Sequence, residues 1–241
     1  LIGFGVVLVL VLMRMPIVFA MGLVGTLGFA YERGGSLFDD RGLRAALSMA
    51  GRQVTDTAQD YGLSVIPLFI LMGLFVNKGG MARELYAVSN AFLGHMRGGL
   101  AMATVMACGG FSAICGSSLA TAATMSKVAM PEMRRFNYSD QLATASIAAG
   151  GTLGILIPPS VILVIYGILT ETSIGKLFMA GIIPGLMGIL FYLGAVRYTV
   201  WRQPDSGPAG IRTAWPERIV ALKSVWAVLL LFFLLFLLFL L

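Results

Sequence analysis

Charged residues are scarce in this sequence. Lysine, arginine, aspartate and glutamate make up 12% of the 241 residues, whereas 58% are hydrophobic and the mean hydropathy is +0.90. A soluble globular domain has about a quarter of its residues charged, so the composition excludes that class. The chain is therefore predicted to be an integral membrane protein.

Cysteine and histidine are nearly absent, with two cysteines and a single histidine, His95. This number of ligands is too small for a cysteine and histidine metal centre. Cys108 and Cys115 both lie in an uncharged stretch, where we interpret them as small core residues. We expect no organic cofactor and no transition metal.

The net charge of +6 does not indicate nucleic acid binding, because the basic residues lie between apolar segments and form no aromatic-interleaved patch. They are better interpreted as topology signals. If residues 98–131 enter and leave the membrane on one side, residues 78–97, 127–140 and 197–223 carry eleven lysines and arginines, and the opposite side carries five. This asymmetry predicts that the first set is cytoplasmic and that residues 32–60 face outward.

The first part of the chain contains two apolar segments and one polar segment. Residues 1–31 carry Arg14 and Pro16 in mid-run, which predicts either one long kinked helix or a span preceded by a shorter apolar piece. We interpret Arg14 as a snorkelling or helix-packed charge rather than a substrate contact. Residues 32–60 are typical of an amphipathic helix on a membrane face, or of a partner surface.

The following segments alternate between spans and connectors. Residues 61–77 are predicted to span the membrane with a bend at Pro67, and Lys78-Gly79-Gly80 to form a helix stop. Residues 81–97 are predicted to form an interfacial helix with one apolar stripe, composed of Leu85, Val88, Phe92 and Met96. Near the end we expect a span over 177–196 that contains Pro184, a polar loop over 197–223, and a last span or its beginning over 224–241.

Two uncharged stretches contain breaks. Residues 98–126 have apolar flanks around a centre rich in glycine, serine and threonine, which predicts two half-helices that meet at a tip. Residues 141–170 are 30 uncharged residues interrupted by Pro158-Pro159, and two consecutive prolines predict a discontinuous helix. Irregular backbone at membrane depth must be buried in protein or line a wet cavity.

The two stretches share one chemistry: hydroxyl groups, freed carbonyls and helix ends, without a carboxylate. Oxygen ligands of this kind suit a hard cation such as Na⁺, and half-helix N-termini favour an anionic group nearby. The alternative is close helix packing through small residues without any ligand.

The sequences GGFSAICGSSLATAATMSKVAMPEM and GGTLGILIPPSVILVIYGILTETSIGKLFMAGIIPG closely resemble the large membrane subunit of the tripartite ATP-independent periplasmic (TRAP) transporters, the DctM-like family. The resemblance implies an all-α, multi-span helical bundle with a re-entrant helical hairpin and a discontinuous helix. This arrangement is one inverted repeat of an elevator-type transporter. It further implies scaffold-like spans over residues 1–97, a transport-domain hairpin and broken helix over 98–176, and a further span, a cytoplasmic loop and the start of the next span over 177–241.

The resemblance also implies which residues form the site. The expected Na⁺ ligands are Ser112, Gly116, Ser117, Ser118, Gly150, Gly151 and Thr152, with Ser117 and Ser118 as the principal side chains and carbonyls near Gly151 or Thr152 completing the shell. The expected substrate contacts are Ser118, Thr121, Pro158, Pro159 and Ser160.

The function implied is that of a Na⁺-coupled permease in the bacterial inner membrane. It would import organic acids such as C4-dicarboxylates or sialic acid, with a small membrane subunit (DctQ-like) and a periplasmic solute-binding protein (DctP-like) as partners. A complete large subunit has a second repeat, so this chain is expected to hold one half of the site. A non-transporting assembly subunit or a truncated fragment is an alternative. An intramembrane serine hydrolase is another, but His95 lies in a predicted interfacial segment and the uncharged runs contain no carboxylate to act as a base.

Overall fold

The computed structural model describes residues 2–34, 40–59, 63, 65–210, 212–226, 228, 230 and 233–234, and these residues form helices and connections without any strand. The chain divides into two compact units, Leu1–Leu63 and Ser64–Leu241. The prediction of an all-helical fold is therefore confirmed for the described part of the chain.

The first unit contains α1 (Ile2–Leu12), α2 (Ile17–Gly34) and α3 (Asp40–Gln59). The chain turns at Arg14, which has a φ of 67°, and Pro16 precedes the first residue of α2. A Cβ placed on Gly3 would lie 3.5 Å from Val24 Cγ1, so α1 folds back along α2. Of the two predicted arrangements, the shorter apolar piece before a longer helix is the one that forms. Arg14 lies exposed in the connection between the two helices.

The amphipathic helix predicted within residues 32–60 is confirmed as α3. Its buried residues are Gly42 and Ala46, and Gly42 lies against the backbone of Ala30 and Gly34 at the end of α2. A glycine at this position allows the two backbones to approach closely. The membrane face on which α3 lies stays a prediction.

The second unit is built around one central helix. Its helices are α4 (Val65–Lys78), α5 (Met81–Leu93), α6 (Gly99–Cys115), α7 (Ser118–Arg135), α8 (Asp140–Leu156), α9 (Val161–Leu169), α10 (Ile174–Arg202), a short 3₁₀ helix (Pro204–Ser206) and α11 (Trp215–Ser224). Every residue of α6 except Met106 and Gly110 is buried. A helix that is apolar on all sides belongs inside a bundle, and α6 has this composition.

Two helical segments in the described residues are long and apolar enough to cross a membrane, the broken pair Asp140–Leu169 and α10. Helices α1 and α6 and most of α4 are apolar but shorter. The predicted break is confirmed, because α8 ends at Leu156 and α9 begins at Val161. Pro184 lies inside α10 without ending that helix.

Three predictions of local structure are wrong. Residues 197–223 are not one loop, because α10 continues to Arg202 and α11 begins at Trp215, with Pro216 in its first turn. Pro67 lies in the first turn of α4, where its missing N–H breaks no hydrogen bond, so it does not bend the helix. The interfacial helix predicted over residues 81–97 ends at Leu93, so Met96 of its predicted apolar stripe lies beyond the helix.

At one end of the second unit, hydrogen bonds join three of the connections between helices. Gly98 N donates to Gly207 O at 2.9 Å, and Ser139 N donates to Ser206 O at 3.0 Å. Tyr138 Oη accepts from Leu100 N at 3.2 Å and donates to Pro208 O at 2.9 Å. We call these bonds the Tyr138 network. Residues 94–98, 136–139 and 206–210, which the charge count grouped on one side, therefore meet at one end of the unit.

Candidate cation and substrate site

Only Gly116 and Ser117 separate α6 from α7. Gly116 has a φ of 62°, and a Cβ placed on it would lie 2.8 Å from Pro159 O. Ser117 is extended and caps α7, because its Oγ accepts from Ala120 N at 3.4 Å. Its carbonyl accepts from Thr121 N at 3.0 Å and from Thr121 Oγ1 at 2.8 Å. We call Gly116 and Ser117 the tip, and the two predicted half-helices are confirmed on either side of it.

Close contacts at glycines of α6 and α8 show in which direction each helix beside α8 runs. A Cβ placed on Gly150 would lie 2.7 Å from Cys108 Sγ, and a Cβ on Gly109 would lie 3.7 Å from Ile157 Cδ1, so α6 runs parallel to α8. A Cβ on Gly154 would lie 2.7 Å from Ser117 O, and one on Gly151 would lie 2.8 Å from Ala122 Cβ, so α7 runs antiparallel to α8. Helices α6 and α7 therefore form a hairpin with α8 against both arms.

Two predicted site residues, Gly150 and Gly151, and their neighbour Gly154 serve close packing. Gly150, Gly151 and Gly154 are buried where α8 meets α6 and α7, and a side chain at any of them would collide with a neighbour. The small-residue packing weighed as an alternative is thus present in the structure. It also brings the α8 backbone to the tip, with Ser118 O at 3.4 Å from a Cβ placed on Gly151.

The break between α8 and α9 is bonded directly to the tip. Val161 N, at the start of α9, donates to Gly116 O at 3.2 Å. Ser160 is fully buried, its Oγ donates to Ile155 O at 3.0 Å, and the same Oγ accepts from Leu163 N at 3.5 Å as the cap of α9. On the other side, Pro158 Cγ lies 3.3 Å from a Cβ placed on Gly181 of α10. The structure thus brings Gly116, Pro159 and Ser160 together.

Four helix ends meet at this point. Helices α6 and α8 end there at Cys115 and Leu156, and helices α7 and α9 begin there at Ser118 and Val161. Helix C-termini present carbonyl oxygens and carry a partial negative charge, whereas helix N-termini present N–H groups and carry a partial positive charge. One place can therefore attract a cation and an anion side by side without any ionised side chain.

Ser112 stands out among the hydroxyl groups near the tip. It is fully buried on α6, and its Oγ has no hydrogen-bond partner in the structure as described, while its carbonyl accepts from Gly116 N at 2.9 Å. A buried polar atom without a partner requires an explanation, and one such explanation is a missing ion. The donor set of Ser112 Oγ and nearby carbonyls consists of neutral oxygens, which fits a small hard cation.

Thr152 is not brought to the tip by its side chain. It is exposed on α8, where its Oγ1 donates to Ala149 O at 2.7 Å and shares a hydrogen bond of 2.8 Å with Tyr192 Oη of α10. Only its carbonyl is left as a candidate ligand. Sequence reasoning missed Tyr192, and the one signal for it is a phenol in the apolar part of α10 between Lys176 and Arg197. Thr121 is buried one turn into α7, where its hydroxyl donates to Ser117 O.

The sequence profile of the tripartite ATP-independent periplasmic transporter DctM component matches residues 4–241. The chain belongs to the DctM family. The resemblance predicted from the two motifs is thereby confirmed. Members of the family are permease components, so the prediction that the chain is not an enzyme is also confirmed, and the serine hydrolase alternative is set aside.

Similar proteins include two C4-dicarboxylate TRAP transporter large permease proteins, both called DctM. The one from Pseudomonas aeruginosa is 44% identical over 182 residues, which are 75% of this chain and 42% of that protein. The one from Vibrio cholerae is 34% identical over 233 residues, which are 96% of this chain and 49% of that protein. The sialic acid TRAP transporter large permease protein SiaM of Vibrio cholerae is 37% identical over 141 residues, 58% of this chain and 33% of SiaM. The chain spans about half the length, or less, of these relatives.

Proposed function

We propose that this chain forms half of the substrate and ion site of a Na⁺-coupled permease that imports organic acids across the bacterial inner membrane. The observation that carries the proposal is the meeting of four helix ends beside the unpartnered hydroxyl of Ser112. No ionised side chain of the described residues takes part in this arrangement, so the ligands must be attracted by helix ends and neutral oxygens.

The cation is proposed to bind on the C-terminal side of the four helix ends. Ser112 Oγ would supply one ligand, and the carbonyls at the ends of α6 and α8 would supply others. Hydroxyl groups of Ser117 and Ser118 at the start of α7 complete the proposed set, together with the backbone of Gly116, Gly150, Gly151 and Thr152. Neutral oxygens suit Na⁺, because a monovalent ion needs no carboxylate to offset its dehydration.

The organic acid is proposed to bind at the N-terminal side. Helices α7 and α9 both begin beside the tip, and Ser118, Thr121 and Ser160 lie within their first turns or cap them. A carboxylate placed there accepts from the amides of these turns and lies beside the bound cation, whose charge it offsets. Pro158 and Pro159 hold the break open, because neither residue has an N–H with which to continue α8.

We take the proposed substrate class from the names of the relatives, which refer to C4-dicarboxylates and sialic acid. Both are small carboxylates. The tripartite family implies two partners, a periplasmic solute-binding protein (DctP-like) and a small membrane subunit (DctQ-like). We infer that the hairpin of α6 and α7 is re-entrant from the cytoplasmic face, and that it moves as part of an elevator-type transport domain.

The test is uptake by the full-length subunit with its two partners in liposomes. We expect an organic acid to accumulate only when a Na⁺ gradient is present, and Ser112→Ala to lower the apparent Na⁺ affinity about tenfold, which corresponds to one lost charge-assisted contact. Ser117→Ala combined with Ser118→Ala should act in the same direction.

The matched control is Ser146→Ala on α8. Ser146 is buried like Ser112, but its Oγ already has a partner in Ala143 O at 2.9 Å, and it lies well before the end of α8 at Leu156. Ser146→Ala should leave the Na⁺ dependence unchanged. Uptake that is indifferent to Na⁺ would contradict the coupling, and equal effects of the two alanine variants would remove Ser112 from the site.

A further inference from the structure

Arg218 of α11 is buried between two aromatic rings. The residue is 6% exposed, and its Cζ lies 5.2 Å from the ring centroid of Trp215 and 5.6 Å from that of Phe92 on α5. Guanidinium groups are attracted to the faces of aromatic rings, which explains the position of the side chain. The rings accept no conventional hydrogen bond from its N–H groups, so the donors still need an acceptor.

That acceptor is missing from the described residues. Nε and Nη2 of Arg218 are enclosed and have no hydrogen-bond partner, and the one ion pair among the described residues joins Arg134 to Asp140 elsewhere. Nη1 is the guanidinium nitrogen that is not among these enclosed, unpartnered atoms, and it is the side from which we infer that a ligand approaches. A buried charge without a counter-charge is strongly unfavourable, whereas a planar guanidinium is suited to the paired oxygens of a carboxylate or a phosphate.

The location of Arg218 favours a phosphate from the membrane. Helix α11 lies in the polar stretch between the apolar helix α10 and the apolar residues that follow position 224. Trp215 and Trp226 are 66% and 65% exposed at its two ends. Tryptophan is enriched at the membrane–water interface, where its ring lies among the headgroups.

The surface beside Arg218 is apolar as well as aromatic. Ile219 and Val220, which follow Arg218 in α11, are 53% and 67% exposed. An apolar surface next to a single unpaired cation matches a molecule that has an anionic head and acyl chains.

We propose that Arg218 binds the phosphate of an anionic phospholipid headgroup. The guanidinium donates to a phosphate oxygen through Nη1, the rings of Trp215 and Phe92 lie against the guanidinium, and the apolar surface of α11 contacts the acyl chains. The bound lipid supplies the counter-charge that the described part of the protein does not. The proposal does not rest on the transported substrate or on Na⁺ coupling.

Native mass spectrometry of the purified full-length subunit with phosphatidylglycerol or phosphatidylcholine tests the proposal. We expect wild-type protein to bind phosphatidylglycerol more tightly than phosphatidylcholine. Arg218→Gln should lower the affinity for phosphatidylglycerol about tenfold, and Arg218→Lys should have a smaller effect because it keeps the charge but not the planar fork. Arg212→Gln, which removes an exposed arginine from the same segment, should change the affinity less than about twofold.

Thermal unfolding in detergent gives a second measurement, in which the comparison of ligands on the wild type does not depend on any variant. Phosphatidylglycerol should raise the midpoint of the wild type more than phosphatidylcholine or inorganic phosphate does, and it should not raise that of Arg218→Gln. Equal effects of the two lipids, or an equal effect of inorganic phosphate, would overturn the proposal. A preference for phosphatidylglycerol that Arg218→Gln leaves unchanged would also overturn it.

Discussion

Gly116 is the residue on which the geometry of the tip depends most. Its positive φ lies in the left-handed region, and its missing side chain leaves room for the carbonyl of Pro159. Both features require glycine, because any other L-residue is strained at this φ and a Cβ would approach that carbonyl too closely. The tip and the break of α8 and α9 can therefore approach each other only at this position.

We predict that Gly116→Ala lowers the free energy of unfolding by at least about 2 kcal/mol, since backbone strain and the contact with Pro159 add together. The control is Gly194→Ala. Gly194 lies inside α10, where a Cβ would have open space, so alanine there should be neutral or stabilise the helix by up to about 1 kcal/mol. Unfolding midpoints in detergent measure both. A Gly116→Ala protein as stable as the wild type would show that the tip does not adopt this conformation.

At the scale of the elements, the Tyr138 network joins helices that the chain reaches far apart in sequence. The Tyr138 hydroxyl connects the first turn of α6, at Leu100, to the connection that follows α10, at Pro208. Tyr138 is 6% exposed, and burial raises the pKa of its hydroxyl above the ordinary value of 10.0. The neutral, donating form is therefore the one that holds these elements together.

We predict that Tyr138→Phe lowers the free energy of unfolding by about 1–3 kcal/mol, because it leaves the N–H of Leu100 and the carbonyl of Pro208 without this partner. Alkaline pH should act similarly. The raised pKa means that the contribution of Tyr138 is present below pH 10 and is lost as the pH rises through the folded-state pKa. Thermal unfolding as a function of pH measures both effects. Tyr198→Phe, at a 54% exposed tyrosine, should change stability by less than about 0.5 kcal/mol, and equal losses in the two variants would contradict the network.

Element breaks were the features easiest to predict from the sequence. Consecutive prolines forbid a continuous helix, and the cluster of glycine and serine at 116–118 interrupts an otherwise apolar run, so the tip and the break between α8 and α9 were both found. Helix α11 was missed because its polar composition is also typical of a loop. The apolar stripe of α5 was assigned from periodicity alone, which did not reveal that the ring of Phe92 lies against Arg218 of α11.

At the scale of the whole molecule, the charge count predicts the orientation of the protein in the membrane. The structure brings residues 94–98, 136–139 and 206–210 to one end of the second unit, which agrees with placing them on the same side. Along the chain, the boundary between the two compact units lies between residues 63 and 64. The predicted boundary between scaffold and transport domain lies between residues 97 and 98. That functional boundary stays a prediction.

We predict that single cysteines introduced at Asp40 and at Asp205 react with an impermeant maleimide from opposite sides of the membrane. The background carries Cys108→Ala and Cys115→Ala, which remove the two native thiols, both of them buried. Asp205 should be labelled from the cytoplasm, because the more basic connections lie there. Labelling of both positions from one side would contradict the charge count.

The candidate site could be predicted only in part, for a physical reason. Helix breaks are local and can be identified from composition, whereas the direction of a side chain depends on how neighbouring helices are rotated. The contact of the Thr152 hydroxyl with Tyr192 was therefore not foreseen. Ser112 was predicted as a ligand, but the sequence did not show that its hydroxyl lacks a partner, whereas that of Ser146 has one.

The hydrogen bond from Val161 N to Gly116 O has a consequence for how the site opens. It is the bond that α9 makes to the tip, and it must break whenever the tip and the discontinuous helix separate. The rate at which this single amide exchanges its proton for deuterium therefore reports how often they part. If the hairpin and the broken helix move as one body, the Val161 amide exchanges no faster than the amides in the middle of α6.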